Sequence, residues 1–543
     1  MASGLRGFVL DTEAAAASAR TADDRMAAVH AALASAFTVT ADRGARTGPA
    51  RRRTWLDTFD WRLYRAGLAL SYERARRGSR LVLEGDDGVP QATQPAPRWQ
   101  PRRPRLAADL EAGPVRDRIL ALTSPRALLP VAAAVSTVSV SRLLNSDGKT
   151  VARLIRDDST VTAAGHGPAA ALPTRLAIAE VRGYPGQARR AARLVAGVPG
   201  VAPATQPVVK AALSALGLRP GDYSNGVDAE VTAQMPASAA VAILLLRLLD
   251  TLEANTDGVL RDIDTEFLHD LRVAVRRSRS AIKLLGDVLP EGPAEHYGAG
   301  FKWLGDLTTP TRDLDVHLLG FDATARQLLA ATAADLQPFR AFLARRRARE
   351  FRRLATALRS ARFRALADDW RKVLLEVRDA GIPGSRRGLT AAELAASRTA
   401  RAFAKVARRG GAITPESPAE SLHDLRKRCK ELRYLLEFFA PLHDPAAYRK
   451  VVGDLKKLQD NLGEFQDSQV QREEIGALAD AMLAEGAAPA ATLLAMGEVA
   501  ARLAASQAEA REQFGKRFAA FAGPAGQGHV RVLLGAAASE AAR

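Results

Sequence analysis

His269, Arg272, Arg276, Arg279 and Lys283 lie 3, 4, 3 and 4 residues apart. At about 3.6 residues per turn, that spacing gathers all five on one helix stripe. Leu268, Leu271, Val275 and Ile282 form a neighbouring apolar stripe, so the helix can bury its leucines and present its cations along one edge. The pattern recurs with His423, Arg426, Lys430 and Arg433 beside Leu422, Leu425, Cys429 and Leu436. Arg345, Arg349, Arg352 and Arg359 repeat the spacing elsewhere, and from Arg340 to Arg364 ten arginines accompany one acid, Glu350. Arginine's planar fork suits phosphate oxygens and stays charged at any relevant pH. Like charges on one helix face cost stability, so a fold that keeps them has an anion to place there. The competing reading is a set of internal salt bridges, with Asp306, Asp313, Asp460 and Asp467 as partners.

The elements that position these side chains are duplicated. Leu268 to Arg272 matches Leu422 to Arg426 at an offset of 154 residues. At that offset Arg247 meets Arg401, Arg276 meets Lys430, and Arg279 meets Arg433. Lys302 meets Lys456, Asp306 meets Asp460, and Asp313 meets Asp467. Apolar periodicity predicts helices over about 236–256, 265–290, 295–320 and 324–378, the last long enough to be interrupted. The second half repeats them over about 390–410, 418–440, 445–483 and 486–522, where Ser417, Pro418 and Glu420 supply a helix start. Two matching cationic edges make a long groove, which suits a linear polyanion. Phosphate contacts carry no sequence information, so nothing here predicts base readout. His269 and His423 have no histidine at ligand spacing nearby, His296 and His443 being the next in sequence. They read as structural or phosphate-contacting residues, and no metal site is expected.

Before residue 220 the chain differs. Short β-type runs at 81–83, 134–140 and 151–155 alternate with turn signals, one of them Ser146 to Lys149. The proline-rich stretch 91–105 reads as a loop. Residues 221–235 read as a linker between an N-terminal α+β or β-barrel domain (1–220) and an all-α domain (236–525, halves about 236–380 and 390–525). The 543 residues carry 78 Lys plus Arg against 60 Asp plus Glu, a net charge of +18. That excess points to nucleic acid, an anionic membrane surface or a condensed phosphate. Aromatics are only 5%, which argues against single-stranded nucleic acid held by stacking. One cysteine, Cys429, excludes an intrachain disulfide. No signal segment or membrane-spanning run is evident, so a cytoplasmic location is expected.

The segment 269–280, His-Asp-Leu-Arg-Val-Ala-Val-Arg-Arg-Ser-Arg-Ser, resembles the signature of the CHAD domains, and Arg312 to Val316 resembles their second motif. The resemblance spans about 235–525. It implies two four-helix bundles related by a pseudo-two-fold axis. It also implies inorganic polyphosphate as ligand and association with polyphosphate granules. Metal chelation by the histidines is an older proposal for that family. The binding residues it implies here are Arg247, His269, Arg272, Arg276, Arg279, Lys283, Lys302, Arg345, Arg349, Arg352, Arg401, His423, Arg426, Lys430, Arg433 and Lys456.

Trp55 to Leu70 resembles the CYTH domain, the triphosphate tunnel fold. That resemblance implies an eight-stranded antiparallel barrel hydrolysing triphosphates with Mg²⁺ or Mn²⁺ held by carboxylates. The family's opening Glu-x-Glu-x-Lys is missing: residues 6–11 read Arg-Gly-Phe-Val-Leu-Asp. Its basic Leu-Arg-x-Arg is replaced by Leu70-Ser71-Tyr72-Glu73, and its late glutamate-rich strand survives only around Glu180. A divalent site for phosphoryl chemistry needs converging carboxylates, so the expectation is a degenerate domain without a metal cofactor. Arg74, Arg76, Arg77 and Arg80 suit either anion binding or a solvated hairpin. Two other functions stay open: a triphosphatase or polyphosphatase using Glu73, Glu84 and Glu180, and a non-specific nucleic-acid binder.

Overall fold

A computed structural model of the chain describes residues 6–10, 22–41, 51–75, 78–164, 166–290, 292–380 and 388–541. The chain divides into two compact units, Met1–Ser224 and Asn225–Arg543.

The first unit contains, in chain order, β1 (Arg6–Leu10), α1 (Ala22–Ala34), β2 (Thr38–Ala41), β3 (Arg51–Asp57), α2 (Arg62–Arg65), β4 (Leu68–Ala75), β5 (Gly78–Gly85), β6 (Pro90–Pro95) and β7 (Arg105–Leu106). It continues with α3 (Pro114–Thr123), β8 (Ala127–Leu144), β9 (Thr150–Ala163), β10 (His166–Ala171), β11 (Arg175–Glu180), α4 (Pro185–Ala196), β12 (Val201–Pro203) and α5 (Val208–Ala215). The strands pair antiparallel in the order β12-β1-β11-β9-β8-β3-β4-β5-β6. Its spine is the long β8–β9 hairpin, in register from Ala132↔Ala163 to Leu143↔Ala152, with a shift before Leu144↔Thr150. The turn there places Gly148 at φ 73°, the left-handed conformation that glycine adopts without a Cβ clash.

Two expectations need correction. The sheet is open, not a closed barrel: among the described residues β6 and β12 end the path without pairing each other. The stretch read as a loop from residue 91 begins as β6, which pairs with β5 from Arg80↔Pro95 to Glu84↔Pro90. Prolines at both ends of β6 are tolerated because an edge strand has no second neighbour demanding their missing N–H. Helices α1 and α4 cover one end of the sheet, with Met26, Val29, Leu33, Ala191 and Val195 packed on Phe8, Leu154, Leu176 and Ile178.

The second unit is helical: α6 (Ala237–Leu260), α7 (Thr265–Leu285), α8 (Pro293–Arg326), α9 (Gln337–Leu358), α10 (Ala361–Ala380), α11 (Ala391–Gly411), α12 (Ala419–Phe438), α13 (Pro445–Ala484), α14 (Ala490–Ala522) and α15 (Pro524–Ala541). Helix α7 starts at Asp264, whose carboxylate accepts the amides of Glu266 and Phe267, and α11 starts with a Thr390/Glu393 capping box. The long fourth helix of the first half is interrupted between Leu358 and Ala361, and α15 was not anticipated. Leu422, Leu425, Cys429 and Leu436 are buried among Leu455, Leu458, Phe465 and Phe514, so the apolar stripe of α12 faces its own half. A second core joins the halves, with Phe321, Phe339 and Phe342 against Ile475, Leu478, Met482 and Met496. Among the described residues no helix is long and apolar enough to cross a membrane.

Candidate anion-binding groove

The two signature helices, α7 and α12, meet each other. Arg277 forms an ion pair with Glu437 at 2.8 Å, both largely buried, and Lys283 pairs with Glu431 at 2.7 Å. At the 154-residue offset, position 277 corresponds to 431 and position 283 to 437. A two-fold rotation therefore maps one ion pair onto the other with the charges exchanged. The same rotation maps Arg276, which donates from Nε to the Tyr434 hydroxyl at 2.8 Å, onto Lys430, and Tyr434 onto Ser280. These reciprocal contacts make the α7–α12 crossing a meeting place of the two halves.

Beside that crossing lies a groove of about 440 Å³. Among the described residues its lining carries the cations Arg276, Arg279, Lys283, Lys302, Lys427, Arg428 and Lys430 against one carboxylate, Glu431. Ser280, Ile282, Gly298 and Tyr434 complete it. Glu431 is shared by Lys283 and Arg428, and Lys302 reaches Asp306 at 3.0 Å. Arg279 lies against α8 where Gly305 leaves room: a Cβ there would stand 2.9 Å from its guanidinium nitrogen. At the matching place in the second half, Arg433 donates to Gln459 at 3.3 Å and pairs with Glu437 at 2.6 Å.

Lys430 records the field of the groove. Burial lowers its pKa to about 8, with Arg426, Arg276 and Arg272 pushing in the same direction and only Asp467 opposing. Residues of both halves thus act on one amine. Arg272 and Arg426 lie outside the groove lining. Arg426 holds Asp467 at 2.8 Å. Half-buried Arg272 has its pKa lowered by burial, with Asp313 the main charge opposing that. Asp313 in turn is raised by its own burial. The next cation along each stripe, Arg276 or Lys430, lines the groove.

Of the sequence-predicted residues, Arg276, Arg279, Lys283, Lys302 and Lys430 line the groove. Lys427 and Arg428 line it as well and were missed, because they lie off the stripe that the repeat picks out. Arg247 is half-buried on α6, and Arg401 on α11 and Lys456 on α13 are exposed; none of the three is in the groove lining. His269 is half-buried, and His423 meets Gln466 through Nδ1 at 2.7 Å. Among the described residues no three His, Cys, Asp or Glu side chains gather as a metal site. On α9, Arg349 reaches Glu485 at 3.4 Å, Arg345 lies over the Phe342 ring at 5.8 Å, and Arg352 is exposed. Other arginines of that run find acids outside their own helix: Arg340 pairs with Asp322 and Arg347 with Asp315 on α8, and Arg347 also with Asp262 in the turn between α6 and α7. Tertiary packing thus supplies acids for Arg340, Arg347 and Arg349, while Arg353 pairs locally with Glu350.

In the first unit, Arg53 on β3, Glu73 on β4 and Arg80 on β5 form one row across the sheet. Glu73 accepts from Arg53 at 2.5 Å and from Arg80 at 2.8 Å, and Arg53 stands 3.8 Å from Glu84. The guanidinium between the two glutamates takes the place a divalent ion would need, so this pair does not fit a metal. Glu180 is exposed at the end of β11. Arg76 and Arg77, like Asp11, lie outside the described residues.

Comparisons with known proteins bear on the helical unit first. Residues 243–476, all within the helical unit, match the family model of the CHAD domain. A solved CHAD domain from the plant Ricinus communis is 26% identical and covers 55% of this chain and 97% of its own, with a TM-score of 0.46. PptA from Streptomyces chartreusis is 16% identical and covers 52% and 99%, with a TM-score of 0.41. A putative adenylate cyclase from Bacillus halodurans is 15% identical and covers 35% and 86%, with a TM-score of 0.23. No curated protein matches.

Proposed function

We propose that the protein binds inorganic polyphosphate in the groove beside the α7–α12 crossing and associates through it with polyphosphate granules. The observation that carries this reading is the imbalance of the lining: seven cations, contributed by both halves, around one carboxylate that is already shared. Such a surface costs stability when empty and is relieved by an anion. Forked guanidinium groups and ammonium groups match phosphate oxygens, and a repeating polyanion satisfies many of them at once. The lining offers Tyr434 as its one aromatic ring, already engaged by Arg276, so it provides no platform for stacking bases.

The test is a titration of the full chain with long-chain polyphosphate, competed with duplex DNA and RNA, at several salt concentrations. Polyphosphate is expected to bind more tightly than either nucleic acid of equal charge, and to weaken steeply with salt as counterions are released. Equal competition by DNA would reduce the function to general polyanion binding.

A further inference from the structure

We propose that Lys430 is an acylation site, modified by a small acyl phosphate whose phosphate end is held in the groove. The geometry has three parts. Lys430 is half-buried and opens into the groove, opposite Arg276 of the other half. It forms no ion pair among the described residues, because Asp467, the one carboxylate whose charge acts on it, is engaged by Arg426 at 2.8 Å. Arg279 and Lys427 supply further cations within the same cavity, where a phosphate dianion can dock beside the amine.

A lysine crowded by other cations and partly desolvated loses its proton more readily, and the free amine is a nucleophile. The pKa of about 8 fits that setting. In the step itself, the Nζ lone pair attacks the acyl carbon and a C–N bond forms. The carbon–oxygen bond to phosphate breaks, and inorganic phosphate leaves with the electron pair, into the field of Arg276 and Arg279. The surplus proton on nitrogen passes to water. No oxidant or reductant is needed. The product is a neutral amide, so the groove loses one cation; as regulation of polyphosphate binding, this rests on the function proposed above.

The experiment exposes the full chain to acetyl phosphate at pH 7.5 and follows site occupancy by peptide mass spectrometry. Lys149 and Lys516, both exposed, serve as comparators. Lys430 is expected to react roughly ten-fold faster or more, because the cations around it hold the phosphate end of the reagent beside a partly desolvated amine. Tripolyphosphate should suppress that preference, and the preference should be smaller with the uncharged N-hydroxysuccinimide ester of acetate. Treatment should weaken polyphosphate binding by about ten-fold in the parent, but not in Lys430→Arg, which keeps the cation. Occupancy at Lys430 no higher than at Lys149, or the same preference with the uncharged ester, would overturn the inference. The two readings fail separately. Acylation at Lys430 without polyphosphate affinity would remove only the proposed function. Polyphosphate affinity with an unreactive Lys430 would remove only this site.

Discussion

Polyphosphate affinity should depend on pH through Lys430, and the dependence can be worked out from its surroundings. Burial and neighbouring cations lower its pKa in the folded protein to about 8, from the ordinary lysine value of 10.5. The empty groove therefore binds less than one proton at this site above pH 8. A phosphate chain laid against the amine favours the ammonium form and returns the pKa toward its ordinary range. Binding then takes up a proton between those two values, so affinity falls as pH rises through 8 and is flat below pH 7. One proton per groove gives a loss of about ten-fold between pH 7 and pH 9. Calorimetric titration in buffers of different ionisation enthalpy counts the protons directly and should give about half a proton per groove at pH 8. Lys430→Arg should bind with the same affinity at pH 7 and pH 9. An affinity of the parent that is flat over that range, or a slope that survives in Lys430→Arg, refutes the reasoning.

Arg276→Gln should weaken polyphosphate binding by about ten-fold or more, the cost of one charge-assisted contact. Arg352→Gln, on exposed α9 outside the lining, should change it less than two-fold by the same titration. His443 is buried with neither ring nitrogen hydrogen-bonded, and burial lowers its pKa to about 4. The unfolded chain takes up that proton near pH 6.5 and the folded one only near 4, so stability is complete above pH 6.5 and is lost as pH falls toward 4. The loss is about 3 kcal/mol, and His443→Phe should flatten that part of an acid-denaturation curve. Full-length protein with Mg²⁺ or Mn²⁺ should release no phosphate from tripolyphosphate or ATP; turnover abolished by Glu180→Ala would reverse that expectation. Gly258→Ala would put a methyl group 2.1 Å from the buried Phe267 ring. It should cost about 1–3 kcal/mol by overpacking, read as a lowered midpoint of thermal unfolding.

Helical periodicity made α7 and α12 legible, because a stripe of leucines beside a stripe of cations has one burial solution. It could not say which cations would stay uncompensated. The duplication marked Asp467 as a candidate partner, and it does meet Arg426 across α12 and α13, but Asp262 meeting Arg347 across a separation of 85 residues follows from no spacing in the sequence. Sheet closure was equally invisible. Strand patterns show which residues alternate, but whether β6 meets β12 depends on the twist and reach of the assembled sheet.

The duplication carried more information than either half alone, and its exceptions explain the groove. Where the halves touch, the sequences have diverged to opposite charge: Lys283 against Glu437 and Arg277 against Glu431, each at matching positions. A perfect repeat would place like charges across the two-fold axis and push α7 and α12 apart. Beside the crossing, where the helices separate, Arg276 and Lys430 have kept the same sign. Neutralisation was thus achieved where the fold must close. The retained charge at the open edge has no structural partner of its own among the described residues beyond the Tyr434 hydroxyl. That contrast between pairs of opposite sign and an edge of like sign is what the polyanion proposed above would account for and internal salt bridging alone does not.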